Sequence, residues 1–260
     1  MRVVVNGSDT HVATGGKKFD PALPAIVFLH GAGMDHSVWA LLARSFAHHG
    51  FGVLAPDLPG HGRSTGTPLS SIAALADWAA ALIDAAGVAK ARIVGHSMGT
   101  LIALETAARH PGKVSGLGLI ATAAPMRVSD DLLNAAKADD HAAIDMMSIW
   151  GEGYRATLGG SLAPGLWMLG GAERLLERAR PGVIFADLSA CNTYTDALAA
   201  AAKVTVPSIV IQGSRDVMTP FKGGKAIAAA IPGCRLVMIE GAGHMLMSER
   251  PEDVLAALRQ

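Results

Sequence analysis

Short apolar runs alternate with longer amphipathic segments along most of the chain. Runs such as "AIVFLHG", "GVLAPD" and "ARIVGHS" are rich in β-branched residues and predict buried strands. The segments "SVWALLARSFAHHG", "SIAALADWAAALIDAAG" and "MGTLIALETAARH" place apolar residues at helical spacing, and the first two end at a glycine that would stop a helix. Strands that alternate with helices in this way predict a mostly parallel sheet flanked by helices.

The same alternation extends towards both ends of the chain but fails in the middle. "RVVVN" and "HVATG" predict an opening hairpin, and "VSGLGLIAT", "PSIVIQGSRD" and "CRLVMIEGAGH" predict further strands before a last helix, "PEDVLAALRQ". Between Pro125 and about Ala202 several short helical segments occur without a central-strand pattern, over far more residues than the dozen or so that a crossover needs. We therefore predict a core of residues 1–124 and 203–260 and an inserted helical cap of residues 125–202.

Composition and charge restrict the class of protein. A chain of 260 residues, 50% hydrophobic and 17% charged, suits one large folded domain with an insertion. The formal net charge is zero, so nothing in the charge balance favours a nucleic acid or an anionic membrane as partner. Cys191 and Cys234 have no metal-ligand spacing and lie among apolar residues, which indicates small core side chains rather than a disulfide.

Targeting and membrane segments are not evident. The three-valine run near the amino terminus is too short for the apolar centre of a signal peptide. The longest nearly uncharged stretch, "VSGLGLIATAAPM", is shorter than the ~20 residues that a membrane-spanning helix needs. We therefore expect a soluble, cytoplasmic protein that does not insert into a membrane.

The stretch "IVGHSMGTLIALETAA" changes from a strand pattern to a helix pattern at Ser97. Its centre, Gly95-His96-Ser97-Met98-Gly99, fits the G-x-S-x-G pattern, in which small residues on both sides let a sharp strand-to-helix turn expose the serine hydroxyl. Because a strand precedes the pattern and a helix follows it, Ser97 is a candidate nucleophile. The alternative is a glycine-flanked serine in an ordinary turn.

A serine hydroxyl is a weak nucleophile near neutral pH, so it needs a base and a group that orients the base. Asp216 and His244 each follow a predicted strand, at the edge where ligand sites form in open α/β sheets. The chain order Ser97, Asp216, His244 is typical of serine hydrolases with this kind of sheet. Taken singly, Asp216 would also suit a turn and His244 a packing role, and Asp57 is the alternative orienting acid.

The motifs "FLHGAGMDHSVW", "APDLPGHGRS", "VGHSMG", "GSRDVMTP" and "GAGHM" together resemble those of the α/β-hydrolase superfamily. Within it the chain is most similar to small bacterial esterases with a helical lid. The resemblance covers the chain outside the cap and implies an eight-stranded, mostly parallel sheet with a triad of Ser97, His244 and Asp216. It does not specify the substrate.

The small residues of "HGAG" point to an oxyanion hole. Acyl transfer builds negative charge on a carbonyl oxygen, and loss of one backbone N–H that stabilises it costs roughly 3 to 4 kcal/mol in a serine protease. The resemblance implies that Met98 and Ala32 supply these N–H groups, with Gly33 as the nearest alternative to Ala32. Gly31, Ala32 and Gly33 would also let the backbone approach a substrate closely. An ordinary tight turn is the alternative.

Methionines and tryptophans lie beside the motifs and in the cap, where they would line an adaptable apolar pocket. The candidate substrate-binding residues are Gly31, Gly33, Met34, Trp39, Met126, Met147, Trp150, Trp167, Tyr194, Met218 and Met245, together with Leu166. Core packing is the alternative role for each of the cap residues. Arg155 and Arg174 would either pair with a substrate carboxylate or remain solvated.

The remaining histidines are expected to support the site. His30 and His96 would pack or form hydrogen bonds beneath it, while Asp57 and His61 would shape a loop near the oxyanion hole. The sequence has no set of His, Asp and Glu at metal-ligand spacing and no glycine-rich loop of nucleotide-binding type. We therefore expect neither a metal nor a cofactor.

Together these features predict a hydrolase of the carboxylesterase type that cleaves an ester of a small to medium apolar substrate through an acyl-enzyme. A serine nucleophile disfavours a dehalogenase or epoxide hydrolase of this fold, which would use an aspartate. Thioesterase, lactonase and carbon–carbon bond hydrolase activity remain open, as does a ligand-binding receptor with slow turnover. The expected partner is a small-molecule ester, and the chain is expected to be a monomer or a homodimer.

Overall fold

The computed structural model describes residues 1–160 and 167–259, and in these residues eight strands form one sheet. The strands are β1 (Arg2–Val5), β2 (Ser8–Ala13), β3 (Ala25–Leu29), β4 (Gly52–Pro56), β5 (Ala91–His96), β6 (Val114–Ile120), β7 (Ser208–Gly213) and β8 (Arg235–Ile239). Their order is β1-β2-β4-β3-β5-β6-β7-β8. The pairs β1–β2 and β2–β4 are antiparallel and all others are parallel, as the sequence predicts.

Helices lie between most of the strands. Those outside the β6–β7 connection are α1 (Ala40–His48), α2 (Ile72–Ala85), α3 (Met98–Arg109), α10 (Phe221–Ala230), α11 (Leu246–Glu249) and α12 (Pro251–Arg259). Between β6 and β7 the structure describes α4 (Asp130–Lys137), α5 (Ala142–Gly151), α6 (Tyr154–Thr157), α7 (Met168–Leu176), α8 (Val183–Thr193) and α9 (Ala197–Ala201). We refer to residues 125–202 as the cap segment, and its division from the core remains a prediction.

The central strands are buried on both faces because helices cover them. Every residue of β3, "AIVFL", is buried, and so is every residue of β7, "SIVIQG". Continuous runs of apolar residues are typical of parallel strands that are covered on both faces. The strands therefore form a rigid base for the loops that follow them.

The strand order places a crevice at the carboxyl ends of β3 and β5. The chain passes from β3 to β4 on one side, whereas β5 lies on the other side of β3. Loops that leave neighbouring strands in opposite directions open a crevice in which ligands bind. The "HGAG" segment follows β3 and Ser97 follows β5, so the fold brings both to this crevice.

Candidate active site

Ser97 joins β5 to α3 in a backbone conformation that residues other than glycine rarely adopt. Its φ is 52° and its ψ is −119°, which is strained for a residue with a Cβ. A Cβ on Gly95 would overlap the Gly99 carbonyl oxygen, and a Cβ on Gly99 would overlap the Leu29 carbonyl oxygen. The two glycines are therefore a steric requirement of the turn that presents Ser97.

His244 and Asp216 follow the neighbouring strands β8 and β7 and form a buried pair. His244 Nδ1 lies 2.9 Å from Asp216 Oδ2. The Thr219 hydroxyl donates to the same oxygen at 2.6 Å, and the N–H groups of Met218 and Thr219 donate to Oδ1 at 2.9 and 2.8 Å. These donors hold the carboxylate in one orientation, so Asp216 in turn orients the His244 ring.

The surroundings of Asp216 keep it ionised. Burial alone would raise its pKa, but the charge and hydrogen bond of His244 and the donors of Thr219 outweigh burial and hold the pKa below its usual value. An ionised Asp216 accepts a hydrogen bond from the Nδ1–H of His244, which leaves Nε2 as the nitrogen that can take a proton from a nucleophile. The pair thus has the chemistry of a general base and its orienting acid.

Ser97 and His244 line one cavity. Among the described hydrogen bonds none joins the Ser97 hydroxyl to His244. In free enzymes the bond between nucleophile and base is often long and shortens when the substrate binds. The shared cavity is therefore the observation that relates the serine to the base.

His96 supports the main chain of His244 from below. Its Nε2 lies 3.0 Å from the carbonyl oxygen of His244, so Nε2 carries a proton and donates it. The two rings are 4.7 Å apart. Burial is the main reason that the pKa of His96 falls to about 3, and the ring is neutral. His96 therefore holds the His244 loop, and its neutral, buried ring does not suit a second base.

The Ala32 N–H, in the loop after β3, is available to bind an oxyanion. Gly33 N–H donates to Asp187 Oδ2 at 2.8 Å, and Met34 N–H donates to the Gly31 carbonyl oxygen at 3.3 Å. Ala32 N–H has no acceptor among the described residues, and Ala32 lines the cavity. The structure thus favours Ala32 over Gly33 as a donor to the substrate.

The other candidate oxyanion donor, the Met98 N–H, lies at the start of α3. Met98 is the first residue of α3, and the first N–H groups of a helix have no intrahelical acceptor. Its side chain is fully buried and does not line the cavity. Met98 therefore contributes a backbone donor, not a side chain, to the candidate site.

Asp57, the alternative orienting acid, is engaged elsewhere. Its carboxylate accepts the N–H of His36 at 2.8 Å, the ring Nδ1–H of His36 at 2.7 Å and the N–H of Arg63 at 2.9 Å. Burial would raise its pKa, but these donors outweigh burial and lower the pKa to about 2. Asp57 holds its own loop together, and the structure places Asp216 beside His244 instead.

A buried ion pair joins the cap segment to the loop after β4, and the same cap carboxylate contacts the loop after β3. His61 Nε2 lies 2.8 Å from Asp187 Oδ2, and its Nδ1 lies 3.0 Å from the Pro59 carbonyl oxygen. Both partners are acceptors, so both ring nitrogens carry protons. Burial alone would lower the pKa of His61, but Asp187 outweighs burial and raises it. We call Gly33, His61 and Asp187 the oxyanion junction.

A second junction joins the cap segment to the His244 loop. His244 N–H donates to the Gly151 carbonyl oxygen at 2.9 Å. The buried Glu249 carboxylate accepts the N–H of Gly243 at 3.0 Å and that of Gly153 at 3.2 Å. We call Gly151, Gly153, Gly243 and Glu249 the histidine junction.

Glu152 lies next to the histidine junction and is largely protonated at neutral pH. Burial, followed by the nearby Glu249, raises the pKa of Glu152 to about 8. One of its carboxyl oxygens has no hydrogen-bond partner in the described residues. Glu152 is a buried acid that the motifs of the sequence do not indicate.

The cavity has a volume of about 380 Å³ and is mainly apolar. It brings together the predicted residues Ala32, Met34, Ser97, Met126, Met147, Trp150, Met218, His244 and Met245. Residues that the sequence prediction missed include Leu132, Leu175, Leu176, Leu188, Cys191 and Val217. Most of the missed residues lie on cap helices, where an apolar face is visible in the sequence but its partner is not.

Several predicted substrate-binding residues do not line the cavity. Trp39 is fully buried in the core, with its ring 5.0 Å from that of Phe28. Trp167 is 65% exposed and lines a separate surface groove. The Tyr194 hydroxyl donates to Glu105 at 2.6 Å. The large size of these side chains suggested a pocket, but their packing places them elsewhere.

The other predicted positions have different surroundings. Gly31 lets the His96 ring approach, because a Cβ there would lie 2.9 Å from His96 Nδ1. Gly33 is engaged in the oxyanion junction. Arg174 pairs with Glu177 at 2.7 Å. Leu166 and the Arg155 side chain lie outside the described part of the structure.

One group of side chains in the described residues could in principle hold a metal ion. Ligand atoms of His11, His36 and Asp57 lie within 4.8 Å of one another. His36 and Asp57 already form a hydrogen bond. Ligand spacing in the sequence did not indicate this group, because its members come from three separate segments of the chain.

No helix of the described residues has the length and apolar character needed to cross a membrane.

Comparison with known proteins adds independent information. The model of the family described as alpha/beta hydrolase fold matches residues 24–251. A pimeloyl-[acyl-carrier protein] methyl ester esterase of Chromobacterium violaceum is 33% identical over 248 residues, covering 91% of this chain and 93% of that protein. The protein of the same name from Neisseria meningitidis serogroup B is 32% identical over 256 residues, covering 94% of each.

A solved structure agrees with the fold. The crystal structure of the enol-lactonase from Burkholderia xenovorans LB400 superimposes with a TM-score of 0.87 at 24% sequence identity. The match covers 100% of this chain and 98% of that one. At this level of identity the likeness concerns the fold alone.

Proposed function

The chain belongs to the α/β-hydrolase fold family and is an ester-cleaving hydrolase, and on that premise we propose that it acts through an acyl-enzyme formed on Ser97. The observation that carries the proposal is the His244–Asp216 pair, which lies in the same crevice as the strained Ser97 turn. We also propose that residues 125–202 act as a cap over this crevice. Monomer or homodimer and a cytoplasmic location remain predictions from the sequence.

The first half-reaction transfers the acyl group to the enzyme. The Ser97 oxygen forms a bond with the ester carbonyl carbon while its proton passes to His244 Nε2. Asp216 stabilises the resulting imidazolium and holds its orientation. The N–H groups of Ala32 and Met98 donate to the oxyanion, and the carbon–oxygen bond of the alcohol then breaks as His244 returns the proton to the leaving alcohol.

The second half-reaction releases the acid. Water attacks the acyl carbon while His244 takes one of its protons, and the oxyanion again accepts from Ala32 and Met98. The bond to the Ser97 oxygen breaks, and the proton returns from His244 to Ser97. The enzyme is regenerated with no change in oxidation state.

We further propose that the substrate is the methyl ester, or another small alcohol ester, of a medium-length acyl chain. The methionine and leucine side chains of the cavity suit an acyl chain, and its volume of about 380 Å³ lies within the range of small-molecule sites. The names of the two relatives describe a methyl ester esterase that acts on an acyl chain. Identities near one third support the reaction type more strongly than the acyl group.

The test is steady-state hydrolysis of methyl ester, thioester and lactone substrates with matched acyl chains. Ser97→Ala is expected to lower kcat by a factor on the order of 10⁵ to 10⁶, because nucleophile, base and acid act as a unit. Ser189→Ala, on α8 outside the cavity wall, is the matched control and should keep wild-type kcat. Undiminished hydrolysis by Ser97→Ala would overturn the mechanism. Thioester cleavage faster than ester cleavage would identify a thioesterase. Labelling of the chain by one equivalent of substrate, without further turnover, would identify a receptor.

A further inference from the structure

Asp187 lies on α8 in the cap segment, yet its carboxylate contacts the loop that carries the candidate oxyanion hole. The side chain is 1% exposed, and its Oδ2 accepts both the Gly33 N–H and His61 Nε2–H at 2.8 Å. Its Oδ1 has no hydrogen-bond partner in the described residues. A buried carboxylate with an unpaired oxygen costs free energy, so packing alone is a poor account of its presence.

The two peptide planes on either side of Ala32 are held by different parts of the molecule. The Gly31 carbonyl oxygen accepts His30 Nδ1–H at 2.9 Å and Met34 N–H at 3.3 Å. Because a trans peptide is planar, fixing this carbonyl also fixes the opposite direction of the Ala32 N–H. The next plane, between Ala32 and Gly33, is held through Gly33 N–H by Asp187.

His30 is suited to the first of these contacts. Its Nε2 accepts the Leu58 N–H at 3.1 Å, so Nδ1 carries the proton that is donated to Gly31. Burial and then the neighbouring His61 lower the pKa of His30 to about 4. His30 is therefore a neutral donor fixed in one tautomer, and the core side of the oxyanion loop has a permanent anchor.

We propose that Asp187 is a positioning residue for the oxyanion hole: it holds the Ala32–Gly33 peptide while His30 and Met34 hold the Gly31–Ala32 peptide, and the cap segment thereby restrains the loop that carries the Ala32 N–H and contributes to transition-state stabilisation. The proposal rests on the proposed function, because it assumes that Ala32 donates to the oxyanion. Asp187 itself does not touch the reacting atoms.

The surroundings of Gly33 fit this role. Its φ is +69°, and a Cβ at this position would lie 2.9 Å from Ile184 and 3.2 Å from Leu176, so α8 and α7 press directly on the loop. His61 lies against the Asp187 carboxylate, and a buried carboxylate is tolerated when it has such a partner. The groups that face His61 are Asp187 from α8, His30 after β3 and Asp57 after β4.

The same helix also contacts the cavity. Leu188, which follows Asp187, and Cys191, one turn further on, line the cavity wall. A shift of α8 when an acyl chain binds would therefore move the Asp187 carboxylate and, through it, the Gly33 peptide. The helix that lines the cavity is also the helix that contacts the loop of Ala32 and Gly33.

The experiment compares three substitutions of Asp187 in the full chain, with the methyl ester of the preferred acyl chain as substrate and an alkyl boronic acid as inhibitor. Asp187→Ala and Asp187→Leu remove the acceptor, and Leu also fills the space with an apolar side chain, which favours folding. Both should lower kcat by about 10- to 100-fold with KM changed by less than about threefold, since a small misplacement of a catalytic group acts on the transition state.

The boronic acid distinguishes a displaced oxyanion hole from a general structural defect. It forms a tetrahedral adduct with the serine, so its affinity should fall by the same factor as kcat/KM. Asp187→Asn keeps an acceptor for Gly33 N–H and should restore kcat to within about threefold of the wild type. Tyr194→Phe, which loses a different contact between the residue after α8 and Glu105 of α3, is the control and should keep wild-type kcat and boronic acid affinity.

The outcomes separate this proposal from the proposed function. If Ser97→Ala is inactive while a folded Asp187→Ala or Asp187→Leu keeps wild-type kcat and boronic acid affinity, the positioning role is wrong and the triad stands. A loss confined to KM, or a loss of kcat without a change in boronic acid affinity, would also overturn it. If Ser97→Ala remains active, the proposed function itself fails, whatever the Asp187 variants do.

Discussion

The cap segment meets the loop of the proposed oxyanion donor Ala32 and the loop of the proposed base His244 through junctions of different chemistry. At the oxyanion junction, the Asp187 carboxylate is paired with a protonated His61 and accepts the Gly33 N–H. At the histidine junction, the Glu249 carboxylate accepts N–H groups of Gly243 and Gly153, and a second buried acid lies nearby. One junction is thus an ion pair, and the other places two carboxyl groups close together.

The difference shows how one set of helices can hold two loops with different sensitivity to pH. The raised pKa of His61 means that its ion pair contributes fully below the usual histidine pKa of 6.5 and weakens only as pH rises through its folded-state value. Glu152, whose pKa is raised from 4.5 to about 8, begins to destabilise the fold as soon as pH exceeds 4.5. Between pH 4.5 and 6.5 the ion pair of the oxyanion junction is therefore insensitive to pH, whereas Glu152, beside the histidine junction, is not.

The largest effect is expected when the ion pair loses its cation. His61→Ala leaves the Asp187 charge buried and uncompensated, and the free energy of unfolding should fall by about 3 to 5 kcal/mol. Urea unfolding at pH 6 measures it. The loss should be much smaller in an Asp187→Asn background, because no buried charge is then left unpaired.

The matched control for this prediction is His48→Ala, which removes an exposed histidine from the end of α1 and should change the free energy of unfolding by less than about 0.5 kcal/mol. Equal losses for His61→Ala in the wild-type and Asp187→Asn backgrounds would show that the pair is not coupled. The oxyanion junction would then not be an ion pair of the kind that distinguishes it from the histidine junction.

A smaller effect is expected from Glu249→Gln at the histidine junction. The amide has one acceptor oxygen instead of two and turns an N–H group towards other donors, so the free energy of unfolding should fall by about 1 to 3 kcal/mol. Because Gly243 precedes His244, kcat should fall as well. Glu252→Gln, on the exposed side of α12, is the control. Unchanged stability and kcat in Glu249→Gln would remove the histidine junction as a structural feature.

The smallest effect concerns the pH dependence of stability. Between pH 4.5 and 8 the folded chain keeps a proton on Glu152 that the unfolded chain has released, so the contribution of Glu152 to the free energy of unfolding falls as the pH rises, by at most about 1.4 kcal/mol per pH unit. Glu152→Gln should flatten this decline. Thermal unfolding of both proteins between pH 5 and 6.5 isolates the effect from His61, and parallel curves would show that Glu152 does not carry a raised pKa.

The sheet could be predicted from the sequence because its signals are local. Short apolar runs mark the parallel strands, and Ser97, Asp216 and His244 follow the ends of three of them. α10, in contrast, is absent from the sequence prediction, since "FKGGKAIAAA" contains two glycines that lower helix propensity. In the structure a Cβ on Gly224 would overlap the Gln212 side chain, so the glycine serves close packing on the sheet.

The junctions could not be predicted because they depend on residues far apart in the chain. Asp187 lies 154 residues from Gly33 and 126 from His61. Nothing around Asp187 or Glu249 in the sequence distinguishes them from exposed acids of ordinary helices. The cap methionines and tryptophans show the same limit: Met147 lines the cavity and Trp167 does not, a difference that depends on how the helices pack.

The most direct test of the central claim, that Ser97 is the nucleophile of an ester hydrolase, is the mass of the chain after reaction with a fluorophosphonate. The account predicts one adduct per wild-type chain, mapped by peptide sequencing to Ser97, and no adduct on Ser97→Ala, with loss of ester hydrolysis in step with labelling. An adduct on another residue, or a fully labelled protein that still hydrolyses its ester at the wild-type rate, would contradict it.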